Sequence, residues 1–338
     1  MNDELLSKYR LRLNDLRRLI HTGNIYQGIN SQLENLGRII VTNSRGIVES
    51  HFAEFLEASK QAFDEGNHVI FDYRHDAVVE HQMIGQISDE ELSKVLILLS
   101  SPRKDQRDTG AYFFLSELIE NDLLSVEQKD YLLHTLLNDL ELFNEIDIPE
   151  SSFVYQRSFA ILLLSVALGY RNPQTGEKFL PDEMMDYDLI VSQVALYSML
   201  ELNTKGFDTD SGWIHAYLHI GNAVAALINN HEIPDLDRIF LVATLLAGYH
   251  KNITPYTMGE IDRVVDAMIE SIQNFEYLGD YFNNVLREWE IQLKKRFLSN
   301  SEAEWNKNYN MIHFQQNVML KINEFPPETQ DLFGDGGY

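Results

Sequence analysis

The chain has 338 residues, 44% hydrophobic and 11% aromatic, with only 8 Pro and 18 Gly, which excludes a disordered tract or a fibrous repeat and predicts a packed core. Asp and Glu number 52 against 27 Lys and Arg, and a formal net charge of -25 argues against direct binding of nucleic acid. With no cysteine, disulfides, thiolate nucleophiles and Cys-ligated zinc are excluded, and the expected compartment is the cytoplasm.

The N-terminal stretch MNDELLSKYRLRLNDL is charged from Asp3 onward and lacks an apolar leader, so no secretory signal is expected. Apolar spacing then predicts helices near 3–20, 27–41, 46–65, 88–100, 103–121, 126–144, 152–170, 183–202, 212–230, 235–250, 258–274, 278–297 and 301–324. His68–Tyr73 (HVIFDY) has strand-like composition without a second strand to pair with, and an extended connector is expected there. Ser88 with Glu91 and Ser125 with Gln128 read as capping boxes, the first stapled by Ile87 and Leu92. Leu132, Leu133, Leu136, Leu137 and Leu140 fall on one helical face, as do Ile261, Val264, Val265, Met268 and Ile269. Ser158–Tyr170 is apolar nearly all round, hence a buried central helix. It is too short for a bilayer, which needs about 20 apolar residues. The tail after Phe325 (PPETQDLFGDGGY) is expected to fray, with Leu332 and Phe333 a candidate docking motif.

Prolines at 102, 149, 173, 181, 234 and 255 punctuate this pattern into helix, short turn, helix. The chain also exceeds the roughly 250–300 residues at which one compact core stops growing. The expected fold is therefore all-α: an α-α superhelix or solenoid of divergent HEAT-like helix pairs. Its expected parts are an N-terminal helical segment (1–85), a helical-repeat region (86–299), a C-terminal helix (300–325) and a flexible tail (326–338). Charge is uneven along it: residues 51–150 carry 22 acidic and 7 basic side chains, whereas residues 1–50 carry 5 and 7. A basic partner would favour the acidic stretch.

Asp208-Thr-Asp-Ser-Gly-Trp-Ile-His-Ala-Tyr-Leu-His219 is the best candidate site. On a helix capped by Ser211, Trp213, Tyr217, Ile220, Val224, Leu227 and Ile228 cluster on one face, with His215, His219 and Asn222 nearly opposite. Histidines at i and i+4 can share a metal, and Asp210 or Asp208 would supply an oxygen ligand. No Glu follows His215, so the H-E-x-x-H pattern of zinc proteases is missing. Arg107, Asp108 and Tyr112 near one helix start, and Glu260, Asp262 and Arg263 near another, are expected to form inter-repeat ion pairs, and Arg157 a salt bridge between helices. Walker A, G-x-G-x-x-G, G-x-S-x-G and EF-hand patterns are all missing.

Ser101-Pro-Arg-Lys-Asp-Gln-Arg-Asp-Thr-Gly-Ala-Tyr112, Gln156-Arg-Ser-Phe-Ala-Ile-Leu-Leu-Leu164 and Gly212-Trp-Ile-His-Ala-Tyr-Leu-His219 together resemble a bacterial family, DUF2785. Gly259-Glu-Ile-Asp-Arg-Val-Val265 is a weaker fourth match, because Ile261 separates two acids that are adjacent in the family's pattern. The resemblance covers about residues 88–270. It implies a helical fold and a bacterial source, and carries no reaction, cofactor or partner.

The functional expectation is a non-catalytic binding or scaffold protein whose groove contains His215, His219, Trp213, Asn222, Arg157, Tyr112 and Glu260. A protein partner is expected ahead of a small ligand, with no membrane, no nucleic acid and no cofactor. The rival is a metal-dependent hydrolase with a divalent transition metal at His215, His219 and Asp210. A third reading is an acidic mimic of nucleic acid that occupies a basic protein.

Overall fold

The structure is a computed structural model that describes residues 1–23, 28–46, 50–80, 85–295 and 301–334. The first eight helices are α1 (Asp3–His21), α2 (Ile29–Thr42), α3 (Phe52–Glu80), α4 (Asp89–Leu96), α5 (Lys104–Gln106), α6 (Phe113–Glu120), α7 (Val126–Leu136) and α8 (Asp139–Leu142). The second eight are α9 (Val154–Gly169), α10 (Tyr187–Leu200), α11 (Ala216–Ile228), α12 (Asp235–Lys251), α13 (Glu260–Asn274), α14 (Tyr277–Lys295), α15 (Glu302–Leu320) and α16 (Pro327–Gly334). A short antiparallel hairpin, β1 (Phe207–Asp208) and β2 (Gly212–Trp213), precedes α11, with Phe207 opposite Trp213. The fold is all-α.

Local chemistry sets many of the boundaries. Ser88 and Glu91 form the expected capping box at α4, and Ser125 and Gln128 form the second at α7, each satisfying two amide groups that a helix start leaves free. Gly259, at φ 93°, turns the chain into α13 in a backbone conformation that a Cβ would strain.

Four expectations change. His68–Tyr73 is helical: Phe63, Gly66 and Ile70 of α3 share one face at i, i+3 and i+7. Gly66 lies so close to the Lys94 carbonyl that no Cβ would fit, and this approach holds the β-branched stretch in a helix. The helix expected over 126–144 breaks at Leu137, where Asn138 caps α8, and Leu140 is 72% exposed rather than on the buried face. The helix expected from 212 starts at Ala216, because the hairpin takes Gly212 and Trp213. Residues 327–334 of the tail expected to fray form α16, pinned where the buried Thr329 hydroxyl donates to Asn283 at 2.8 Å, and Leu332 and Phe333 pack against the core. Residues 335–338 lie outside the described residues.

Packing follows two rows. In one, α9 lies on α11, α11 on α13 and α13 on α15; in the other, α1 lies on α10, α10 on α12, and α12 on α14 and α2. The rows meet where α11 touches α10 and α12. The larger of two apolar clusters among the described residues runs from Leu6 to Phe325, so the N-terminal helices share it with the rest of the chain. As expected, α9 is buried almost all round. Among the described residues no helix is long and apolar enough to cross a membrane.

Candidate functional site at the start of α11

The hairpin is a turn that its own sequence closes. The Asp208 carboxylate accepts from the amides of Asp210 at 3.0 Å and Ser211 at 3.1 Å, and Gly212 takes φ 80°. A buried cation then fixes it to the body: Arg107, on a π-helical turn spanning Arg107–Tyr112, donates to the carbonyls of Ser211 at 2.8 Å and Trp213 at 3.0 Å, and to Ser101 at 2.9 Å. Its guanidinium lies 4.6 Å from the ring centre of Tyr155 and 4.5 Å from that of Phe159, contacts worth about 0.5–2 kcal/mol each. The wider π turn belongs to the class of helix defects that re-aim side chains. Here it carries the Arg107 fork that holds the hairpin's turn and second strand.

His215 follows with φ 49°, a left-handed conformation that costs about 1–2 kcal/mol for a residue with a Cβ. Two contacts hold it there. The ring stacks on Trp213 at 4.5 Å, and Nδ1 lies 3.0 Å from the Glu260 carboxylate at the start of α13. The Glu260 carboxyl sits below its usual range: burial alone would raise it, but His215 and the Met258 amide outweigh that. Gly206 leaves room for this carboxylate, because a Cβ there would overlap both Glu260 and Met258.

His219 is buried one turn later. Its Nδ1 stands 3.0 Å from the backbone carbonyl of Ser158 and 2.7 Å from the Ser158 hydroxyl oxygen. A carbonyl cannot donate, so Nδ1 is assigned the hydrogen. The Ser158 hydroxyl donates in turn to the Ile214 carbonyl. His219 therefore has no proton-accepting position toward Ser158, and the pair is not wired as a nucleophile and its base. Burial first, and then the neighbouring His215, push His219 down to about 3. At neutral pH it is an uncharged strut between α9 and α11.

Phe207, Trp213, His215, His219, Phe159 and Tyr112 make one row of touching rings. The row runs from the buried face of α9 out to Trp213, 46% exposed, and Phe207, 40% exposed.

Five of the seven expected groove residues meet at this place: Tyr112, Trp213, His215, His219 and Glu260. Asn222 lies elsewhere, lining a cleft between α9, α11 and α13, where it accepts a hydrogen bond from Arg263. Arg157 points into the interior, with its guanidinium paired to both oxygens of Glu201 at 2.9 and 3.1 Å and both side chains buried. The expected interhelical salt bridge is present there. Around Glu201 gather the Tyr197 hydroxyl and the amides of Leu202 and Asn203, and its backbone carbonyl accepts from Tyr217 and Lys251. Burial lowers Lys251 to about 7, with Glu201 opposing.

Inter-repeat ion pairs are expected of Arg107, Asp108 and Tyr112 near one helix start and of Glu260, Asp262 and Arg263 near another; of these, Glu260 reaches across to His215 at the start of α11. Arg107 pairs with its own neighbour Asp108 at 2.7 Å, and Arg263 with Asn222. Asp210 remains in the hairpin turn. Among the described residues no three His, Asp or Glu side chains are grouped as donors for one ion. The sequence reading missed Phe207, Tyr155 and the linking role of Ser158. The hairpin was legible in Asp-Thr-Asp-Ser-Gly, a turn-forming run between two aromatic residues.

These features define an all-helical protein with an exposed aromatic rim held at a helix start by buried polar groups. The chain belongs to the DUF2785 family, described as a protein of unknown function, whose model matches residues 142–320. The match contains Gln156–Leu164, Gly212–His219 and Gly259–Val265, whereas Ser101–Tyr112 lies before it. No match is found among curated proteins or among solved structures.

Proposed function

We propose that the chain is a non-catalytic binding protein of helical-repeat build that grips a protein partner on the rim formed by Phe207, Trp213 and His215. The observation that carries this reading is the support given to the rim. A fully buried arginine, a strained histidine and a carboxylate are spent on fixing two aromatic rings that remain in solvent. Trp is among the side chains enriched at the energetic centres of protein interfaces, since it brings large area at little cost in conformational entropy. The two rows of stacked helices agree with a HEAT-like array, whose usual work is to present such surfaces. With a net charge of -25, the partner is basic and its approach is steered electrostatically.

The test compares the wild-type chain with Trp213→Ala as bait in extracts of the native host, with captured proteins identified by mass. A basic protein held by the wild type, released by high salt and lost at least tenfold from Trp213→Ala supports the reading. Equal capture by the two baits removes the rim from it.

A further inference from the structure

A second site lies outside the rim. Between α9, α11 and α13 opens a cleft of about 380 Å3, within the size range of small-molecule pockets. Its lining includes the small residues Gly169, Ala225 and Ala226, two arginines, Arg171 and Arg263, and the Glu270 carboxylate. In a chain with 52 acidic and 27 basic side chains, most buried or half-buried arginines are matched to a carboxylate, as Arg17, Arg107, Arg157 and Arg238 are. These two are not. Arg263 gives its Nε hydrogen to Asn222, and neither of its terminal nitrogens has an acceptor among the described residues. Arg171 acts on Asp182 only through space and makes no ion pair among the described residues.

The polar groups around them are already oriented. Asn222 accepts from Arg263 through its oxygen, which leaves its amide hydrogens to donate. The side-chain oxygens of Asn229 and Asn230 and one oxygen of Glu270 are occupied: the Asn229 amide donates to Glu270 at 2.6 Å and its oxygen accepts from Asn274 at 2.8 Å, while the Asn230 oxygen accepts from Lys178 at 3.3 Å and from the Glu232 amide at 3.1 Å. What remains in the lining is two guanidinium forks and one amide as donors, with the second Glu270 oxygen as an acceptor. The stem of Arg263 lies against Gly221 of α11, so that fork is held by packing as well as by Asn222.

We propose that this cleft binds a small phosphate monoester. Two forks and an amide match three terminal oxygens, where a carboxylate offers two, and guanidinium forks pair bidentately with phosphate. The cleft volume beyond the phosphate accepts the organic part of the ester, in space that larger side chains in the lining would fill.

Calorimetric titration of the full chain with glucose 6-phosphate, inorganic phosphate and citrate tests the assignment. The expected result is saturable binding of both phosphates, the ester tighter, and citrate weaker than either. Arg171→Gln and Arg263→Gln should each weaken the ester about tenfold, the loss expected for about 1.4 kcal/mol of ligand contact. Ala226→Leu, which enlarges a small lining residue and leaves both arginines in place, should weaken the ester more than inorganic phosphate. Arg171 is exposed, so its variant keeps the test open should Arg263→Gln fail to fold. Absence of saturable binding at millimolar ligand, tighter binding of citrate, or equal binding by the wild type and Arg171→Gln overturns the proposal.

Discussion

Arg157 and Glu201 are in direct contact with both side chains fully buried, and burying such a pair costs several kcal/mol per ion before their attraction returns it. The surrounding donors decide the balance. Burial alone would raise the Glu201 carboxyl, yet Arg157, the Asn203 amide and the Tyr197 hydroxyl together hold it below its usual range. Removing one partner should therefore hurt far more than removing both. Glu201→Ala is expected to cost about 3–5 kcal/mol, and the Arg157→Met, Glu201→Leu double variant to recover most of that loss, measured by urea unfolding. If the double variant is as unstable as the single, the pair itself is a net source of stability. The role of Arg157 was legible in its place just before an apolar run. Its partner was not, because 44 residues of chain separate them.

At the scale of elements, close approach sets how the rows pack. Gly248 of α12 sits where an added Cβ would come within 2.1 Å of the Ser198 carbonyl oxygen of α10. Gly248→Ala must push these helices apart, at an expected cost of about 1–3 kcal/mol, read as a lowered urea midpoint. An unchanged midpoint would mean that α10 and α12 slide freely. Periodicity located α13 because its apolar positions keep one face over the whole helix, and the capping boxes located α4 and α7. It failed at His68–Tyr73 and at Leu140. In the first, β-branched composition resembled a strand until tertiary packing of Gly66 against α4 decided for helix. In the second, Asn138 offered its side chain to the Leu140 amide and restarted the helix in a new direction.

Over the whole molecule, buried titratable groups make stability depend on pH. His219 is held at about 3, below its ordinary 6.5, so the unfolded chain takes up a proton that the folded chain refuses. Stability accordingly falls as pH drops from about 6.5 toward 3. Glu34 and Glu145, both held at about 2 against an ordinary 4.5, add stability above pH 4.5 that is lost as pH falls through that lower value. On the other side, Lys251 titrates at about 7 when folded and 10.5 when free, so its contribution to stability rises with pH between those values. Urea midpoints should increase from pH 5 to pH 7 in the wild type, with a shallower slope in His219→Asn. Between pH 7 and pH 9 the slope should flatten in Lys251→Met. Unaltered slopes in both variants would show that these groups are solvated rather than buried.

Helical spacing, capping boxes and the family's segments are written in consecutive residues, because a helix brings together positions three and four apart. An all-α chain with a buried α9 and an acidic surface could therefore be read directly. The meeting of Arg107 with Trp213, of His219 with Ser158 and of Arg263 with Asn222 required the tertiary structure. Those contacts span 41 to 106 residues, and their geometry depends on a π-helical turn, a left-handed histidine and glycines at close crossings, none of which leaves a periodic trace in the sequence.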